Sequence, residues 1–216
     1  MTLSVHAWGA YASYDRQVYA WRSDDYAINQ VVKALKGKPF NGYASVLCVD
    51  RSFRTVKSGD QATAIEVLSQ WGAARILKLK LGQIAIVPVP SSAATTFGFA
   101  SAPLALCNGL VTKLGKTAAL GPWLRFDRKM PTSHEGGSRD QDTIQKALRV
   151  KAGIRAGTTV VLVDDVKTTG SHLRACANAL RDHGCTVEHV IVAASTVWQP
   201  AKDPFKLPPE EIEDAL

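Results

Sequence analysis

Apolar and polar positions along the chain fall into alternating helical and extended patterns. Residues 24–37, DDYAINQVVKALKG, set Ile28, Val31, Val32 and Leu35 on one helical stripe. Asp24 or Asp25 is placed to cap it, and Gly37 and Pro39 end it. YASVLCVD and FRTVK read as two strands around a turn at Asp50–Ser52. Helical spacing returns in GDQATAIEVLSQWGAARILKLK through Ile65, Leu68 and Ile76. IAIVPVP, Ile84 to Pro90, is a short apolar strand stopped by prolines, and a helix is expected through Leu104, Cys107, Leu110, Val111 and Leu114. AALGPWLRF reads as a further strand. Helix TIQKAL, strand TTVVLV, helix SHLRACANALRDHG and strand TVEHVIVAAS complete the core pattern. Strands that are apolar throughout and alternate with helices predict an α/β fold, with a mainly parallel twisted sheet flanked by helices.

Two segments break this pattern. Residues 127–142, DRKMPTSHEGGSRDQD, form the longest loop signal, and loops of that length are commonly functional. The ending QPAKDPFKLPPEEIEDAL is proline-rich and then acidic, and is expected to be a peripheral tail.

The stretch TVVLVDDVKTTGSHL, Thr159–Leu173, carries the clearest chemistry. An apolar run meets two adjacent acids, and like charges side by side need a compensating partner. Thr168, Thr169, Gly170 and Ser171 then turn into a helix start, where free backbone N–H groups and the helix dipole suit a phosphate. Asp164 and Asp165 suit sugar hydroxyls or a hydrated Mg2+. Other chemistries fit less well. GLVTKLGKT, Gly109–Thr117, is one residue too long for a P-loop, and its Gly-Lys-Thr falls at a helix end. A phospho-acceptor receiver carries its acid pair on an early strand, whereas this pair lies late. Simple helix capping accounts for one polar residue of the run, not six. His172, Cys176, His183 and Cys185 match no standard zinc spacing.

The segment VVLVDDVKTTGS resembles the phosphoribosyl pyrophosphate (PRPP) motif of type I phosphoribosyltransferases. YAINQVVKALKGK, IAIVPVP and this motif, in that order, are similar to the ComF-like (competence protein F) branch over roughly residues 26–195. The resemblance implies a single domain over 1–200, with a small hood and N-terminal helix in 1–42, a flexible loop at 127–142 and a tail at 201–216. It implies transfer of 5-phosphoribosyl from PRPP to a nitrogen acceptor with release of pyrophosphate. Mg2+ would be held at Asp164 and Asp165. Asp164, Asp165, Lys129 and Arg128 would be catalytic, with His134 and Arg139 as further loop candidates. Lys167, Thr168, Thr169, Gly170 and Ser171 would hold the 5′-phosphate. Val89, Pro90, Ser91 and Ser92 would form the pyrophosphate loop, where relatives place a cis peptide and Val89–Pro90 makes one cheap. A homodimer is expected by the same likeness.

The chain also departs from that pattern. It has no N-terminal cysteine ribbon, TTFGFAS keeps only Gly98 and Phe99 of a Gly-Phe-Asn-Gln stretch, and His172 stands where the motif usually has a hydroxyl.

Composition adds limits. The net charge of +7 suits polyanionic partners, whether phosphorylated metabolites or nucleic acid. The second reading is therefore a non-catalytic PRPP-sensing or nucleic-acid-associated ComF-like protein. No apolar run is long enough to span a bilayer, the N-terminus has no secretory layout, and the four cysteines form no C-x-x-C pair, so a cytoplasmic protein with buried thiols is expected. Lys33, Lys36 and Lys38 read as a solvated helix face.

Overall fold

The computed structural model describes residues 2–131 and 141–213. Its centre is a six-stranded sheet. In chain order the strands are β1 (Thr2–Ala12), β4 (Ile84–Pro88), β5 (Ala118–Leu120), β8 (Thr159–Lys167), β9 (Thr186–Val197) and β10 (Glu210–Glu213). They lie in the order β10-β1-β9-β8-β4-β5. Every neighbouring pair is parallel except β1 with β10, so the fold is α/β with a mainly parallel sheet, as expected. The remaining elements are helices α1 (Ser23–Leu35), α2 (Gln61–Leu79), α3 (Ala102–Leu114), α4 (Gln141–Ala147) and α5 (Ser171–Arg181), hairpin β2 (Tyr43–Leu47) with β3 (Phe53–Lys57), and ladder β6 (Leu124–Phe126) with β7 (Leu148–Val150).

Both sheet faces are covered, which explains the unbroken apolar strands. On one face Ile28, Val32, Leu68, Leu106 and Leu110 pack on Ile86, Val161 and Val163. The hairpin adds Ala44, Val46 and Val56 to that face, following the alternation its sequence shows. On the other face Leu173, Cys176 and Leu180 of α5 pack with Phe126 and Leu148 on Val87, Leu162 and Val190. Helix α1 keeps its expected span, but its start is fixed differently. Asp25 folds back to accept from the Arg22 backbone N–H at 2.8 Å and from its guanidinium.

Four expectations need correction. Residues 2–12 are a strand inside the sheet rather than part of a hood. Thr2, Ser4 and His6 alternate with Leu3, Val5 and Ala7, a strand signal that the sequence reading passed over, and from Val5 to Ala10 the strand is buried on both faces. Residues 201–213 are not a loose tail: β10 pairs with β1, Pro204 O accepts from Ala10 N at 2.8 Å, and Phe205 packs edge-on against Trp8. An otherwise open edge of β1 is thereby paired. AALGPWLRF is two strands, split at Gly121–Pro122, because proline donates no ladder hydrogen bond. Finally, β8 does not stop before its acids but runs through both to Lys167.

Gly9 shows how tightly α1 sits on β1. A Cβ there would lie 2.8 Å from Ile28 Cγ1 and 2.9 Å from Cδ1. Gly9→Ala is expected to cost roughly 1–3 kcal/mol through overpacking. Urea denaturation measures this, and an unchanged midpoint would contradict the seating of α1.

Candidate functional site

All parallel strands point the same way, so their carboxyl ends form one edge, where such folds bind ligands. β8 delivers Asp164 and Asp165 to that edge, next to β9 and β4. The Val89 N–H, just past β4, donates to Val163 O at 2.9 Å, which fixes residues 89–92 beside the acids. The extension of β6 closes the other side of this loop. Phe126 N donates to Ala94 O and Met130 N to Ser92 O, both at 2.8 Å. Three segments distant in sequence are thus tied together by backbone hydrogen bonds.

The two acids have different partners. Asp165 pairs with Lys36 at 2.9 Å, with side chains 21% and 28% exposed. Asp164 accepts from the Asp165 backbone N–H at 2.8 Å. Burial, and then the neighbouring Asp165 carboxylate, push the Asp164 carboxyl well above the usual range, against the lowering influence of that hydrogen bond and of Lys36. Asp164 is therefore the acid with most to gain from a ligand hydroxyl or a cation. Among the described residues no group of three or more His, Cys, Asp or Glu side chains could hold a metal. The two carboxylates still fit Mg2+, which commonly takes one or two protein carboxylates and completes its shell with water and substrate phosphates.

The turn after β8 has the expected backbone. Gly170 sits at φ +81 and caps α5, whose first residue is Ser171. Thr169 Oγ1 and Ser171 Oγ lie 3.3 Å apart, and Arg174 donates to Ser171 Oγ at 3.3 Å. Gly170 has a second constraint: a Cβ would lie 2.6 Å from Ile212 Cδ1 of β10. Lys167 does not join this turn as an open cation. Its side chain is 8% exposed and ion-paired with Glu210, because β8 ends beneath the C-terminal segment. Expected as a phosphate ligand, it instead ties the chain end to the motif.

In the loop after β4, Val89 and Pro90 are buried, while Ser91 and Ser92 are half-buried. The Val89–Pro90 bond is trans, as are all peptide bonds among the described residues. Arg128 and Lys129 are exposed just before Met130. Arg128 pairs with Asp127, which also pairs with Arg149. His134 and Arg139 lie outside the described residues. His172 stacks on Phe126 with ring centroids 5.6 Å apart, and its Nε2 is buried with no hydrogen-bond partner. Burial lowers its pKa to about 4, although Asp165 pulls it upward.

Lys36 was missed by sequence reasoning. Its basic neighbours suggest a solvated face, and no local signal links it to an acid on a distant strand. Elsewhere, one cleft is walled by α2, β1 and residues 205–209, and another by the amino ends of β4 and β8. No helix among the described residues is long and apolar enough to cross a membrane.

No protein-family model matches the chain, and no curated protein matches it. Solved structures do. Adenine phosphoribosyltransferase from Saccharomyces cerevisiae, complexed with an iminoaltritol bisphosphate and adenine, is 12% identical, covering 77% of this chain and 89% of that one, with a TM-score of 0.43. The Trypanosoma brucei adenine enzyme, in complex with AMP, pyrophosphate and ribose-5-phosphate, is 13% identical over 79% of each chain, with a TM-score of 0.45. Orotate phosphoribosyltransferase from Aeropyrum pernix is 19% identical over 75% of this chain and 79% of that one, with a TM-score of 0.36. The chemistry of the site rests on its own residues.

Two outcomes follow from the geometry. Gly170→Ala is expected to lose roughly 1–3 kcal/mol from backbone strain and the clash with Ile212. Adding Ile212→Ala removes the clash, so the double variant is expected to lose less than the sum of the singles. Strict additivity in denaturation curves would refute the contact. The second outcome concerns pH. His172 has its pKa lowered from 6.5 to about 4, so between these values the unfolded chain binds a proton that the folded chain does not. Its contribution to stability is therefore lost as pH falls through that window. Buried His6, also lowered to about 4, acts in the same sense. Asp164, raised, acts in the opposite sense. His172→Phe keeps the ring against Phe126 but cannot titrate. Its stability loss between pH 6.5 and 4 is expected to be smaller than the wild type's by roughly 1–3 kcal/mol. Parallel curves for the two proteins would contradict a buried neutral His172.

Proposed function

We propose that this chain is a phosphoribosyltransferase that uses PRPP and Mg2+ to transfer a 5-phosphoribosyl group to a nitrogen acceptor. The observation that carries the reading is one continuous feature. β8 runs through Asp164–Asp165 into a left-handed Gly170 and the amino end of α5, with the loop after β4 hydrogen-bonded alongside. This arrangement sets phosphate donors, hydroxyl acceptors and a second backbone loop on one sheet edge, which matches the three chemical parts of PRPP. The sequence likeness to the PRPP motif, and more broadly to the ComF-like branch, supports the same reading.

In the proposed reaction the acceptor nitrogen forms a bond to C1 of the ribose as the C1–O bond to pyrophosphate breaks. Pyrophosphate leaves with the bonding pair, and the acceptor nitrogen loses its proton. Thr168, Thr169, Gly170 and Ser171 hold the 5′-phosphate through hydroxyls and the free N–H groups of the first turn of α5. Asp164 and Asp165 orient the ribose hydroxyls. Mg2+, when bound, neutralises charge on the leaving pyrophosphate. The backbone of residues 89–92, with Arg128 and Lys129 nearby, receives that group. Holding the parts in line supplies most of the catalysis.

A second reading, favoured by the Lys36–Asp165 ion pair and by His172 in place of a hydroxyl, is a PRPP-sensing or nucleic-acid-associated protein that binds without transfer. The proposal takes the protein to work in the cytoplasm, as a homodimer.

Thermal stabilisation by PRPP with Mg2+ tests both. Ligand at a hundred times its Kd adds about 2.7 kcal/mol to the folded state. The wild type is expected to show this ligand-dependent shift, and Asp164→Asn/Asp165→Asn to lose most of it. No shift at millimolar PRPP would sink both PRPP readings. A shift without pyrophosphate release against a panel of nitrogen bases selects the sensor, and salt-sensitive DNA binding unaffected by PRPP selects the nucleic-acid role.

A further inference from the structure

A separate cleft of about 230 Å3 opens between α2, β1 and the C-terminal segment. The edge of β1 is covered at Thr2–Val5 by β10 and at Ala10 by Pro204, and the cleft lies in the gap between these contacts. Its cationic walls are Arg75 and Lys78 of α2 with Lys206. Trp71 and Phe205 add aromatic surface, and no carboxylate is among the residues that line it.

Arg75 is held by a built support. Its Nε donates to Nδ1 of His6 at 3.0 Å, and His6 is only 4% exposed. Arginine has no acceptor, so this bond leaves the His6 proton on Nε2, which points to His189 Nδ1 at 3.3 Å. Burial, then Arg75 and His189, hold the His6 pKa down to about 4, so the imidazole stays the neutral acceptor the arrangement needs. One nitrogen of the guanidinium is thereby fixed and the other two remain available. Among the described residues Arg75 has no ion pair, whereas Lys206 has Asp203 at 2.8 Å. A half-buried guanidinium in a cleft lined by no acid is the arrangement that a carboxylate or a phosphate completes.

We propose that this cleft is a second ligand site, distinct from the Asp164–Ser171 edge, that takes a small oxyanion, a phosphate or a carboxylate, in a fork from Arg75 oriented by His6 and aided by Lys78. Its volume is below the usual range for drug-sized ligands, about 300–1,000 Å3, which favours an ion or small acid over a whole nucleotide.

The test follows the Arg75 Nε–H resonance, assigned by its absence in Arg75→Lys, during titration of the full-length protein with orthophosphate and separately with succinate. A saturable shift with millimolar or tighter Kd is expected from one or both anions. The responding anion identifies the group that is recognised. The same shift is expected to persist in Thr169→Ala/Ser171→Ala, which alters only the proposed PRPP cradle. A folded Lys78→Gln variant is expected to weaken binding severalfold, and Arg75→Gln to weaken it roughly tenfold or more, read by anion-dependent thermal stabilisation. An Arg75 resonance that neither anion moves overturns the site, as does a shift abolished by the cradle variant. Loss of PRPP binding in Asp164→Asn/Asp165→Asn with the Arg75 response intact leaves this inference standing, so the two proposals fail separately.

Discussion

Adjacent carboxylates on a central strand set the problem that the surrounding structure solves. Asp164 and Asp165 lie on β8, between β4 and β9, where water cannot screen them fully. Two like charges there are tolerable only if one is neutralised and the other is disfavoured in its ionised form. Both happen. Lys36, at the end of α1, neutralises Asp165, and Asp164 is left with one backbone N–H and a raised pKa. The placement of α1 across β1, fixed by Ile28 on Gly9, therefore bears on the electrostatics of a strand that comes far later in the chain.

The C-terminal segment is the second structural commitment. It pairs with β1, lays Phe205 on Trp8, engages Lys167 through Glu210 and fills the space over Gly170 with Ile212. A glycine that sequence reasoning places in the phosphate-holding turn therefore has another duty. Its left-handed φ makes the turn, and its missing Cβ admits a side chain from the end of the chain. The two uses are compatible, since the backbone N–H groups that would meet a phosphate and the Cα hydrogens that face Ile212 are different parts of the same turn.

What the sequence made legible follows from how local each signal is. The α1, α2, α3 and α5 stripes and the β2–β3 hairpin were readable because their faces repeat within a few residues, and the buried strands β4 and β9 because short apolar runs end at clear breaks. β1 was not read: its alternation covers only Thr2–Ala7, and the Ala-Trp-Gly-Ala stretch after it, buried on both faces, carries neither period. β10 was hidden by prolines and glutamates, which normally mark a tail, and became a strand only because β1 offers an open edge. The acids and the Thr-Thr-Gly-Ser turn were visible as chemistry, but Lys36, the His6–Arg75 pair and the Glu210 tie to Lys167 were not. Each joins residues far apart in sequence, and only the topology brings them together.

The Lys36–Asp165 pair bears on which of the proposed activities the site can perform. At side-chain exposures of 28% and 21% the pair is neither fully screened nor fully desolvated, so removing one partner leaves a half-buried charge that must find another. A bound PRPP with Mg2+ would bring hydroxyls and positive charge to the acids and a polyphosphate close to the lysine. Under that reading Lys36 exchanges one anion for another, and the ion pair is a resting state rather than a block. If the pair instead persists with ligand present, only Asp164 is left to orient the ribose. Binding through the Thr168–Ser171 turn would then survive while alignment for transfer would be lost. The same contact thus separates an enzyme from a sensor, and what separates them is whether the ligand offers Lys36 a better anion than Asp165.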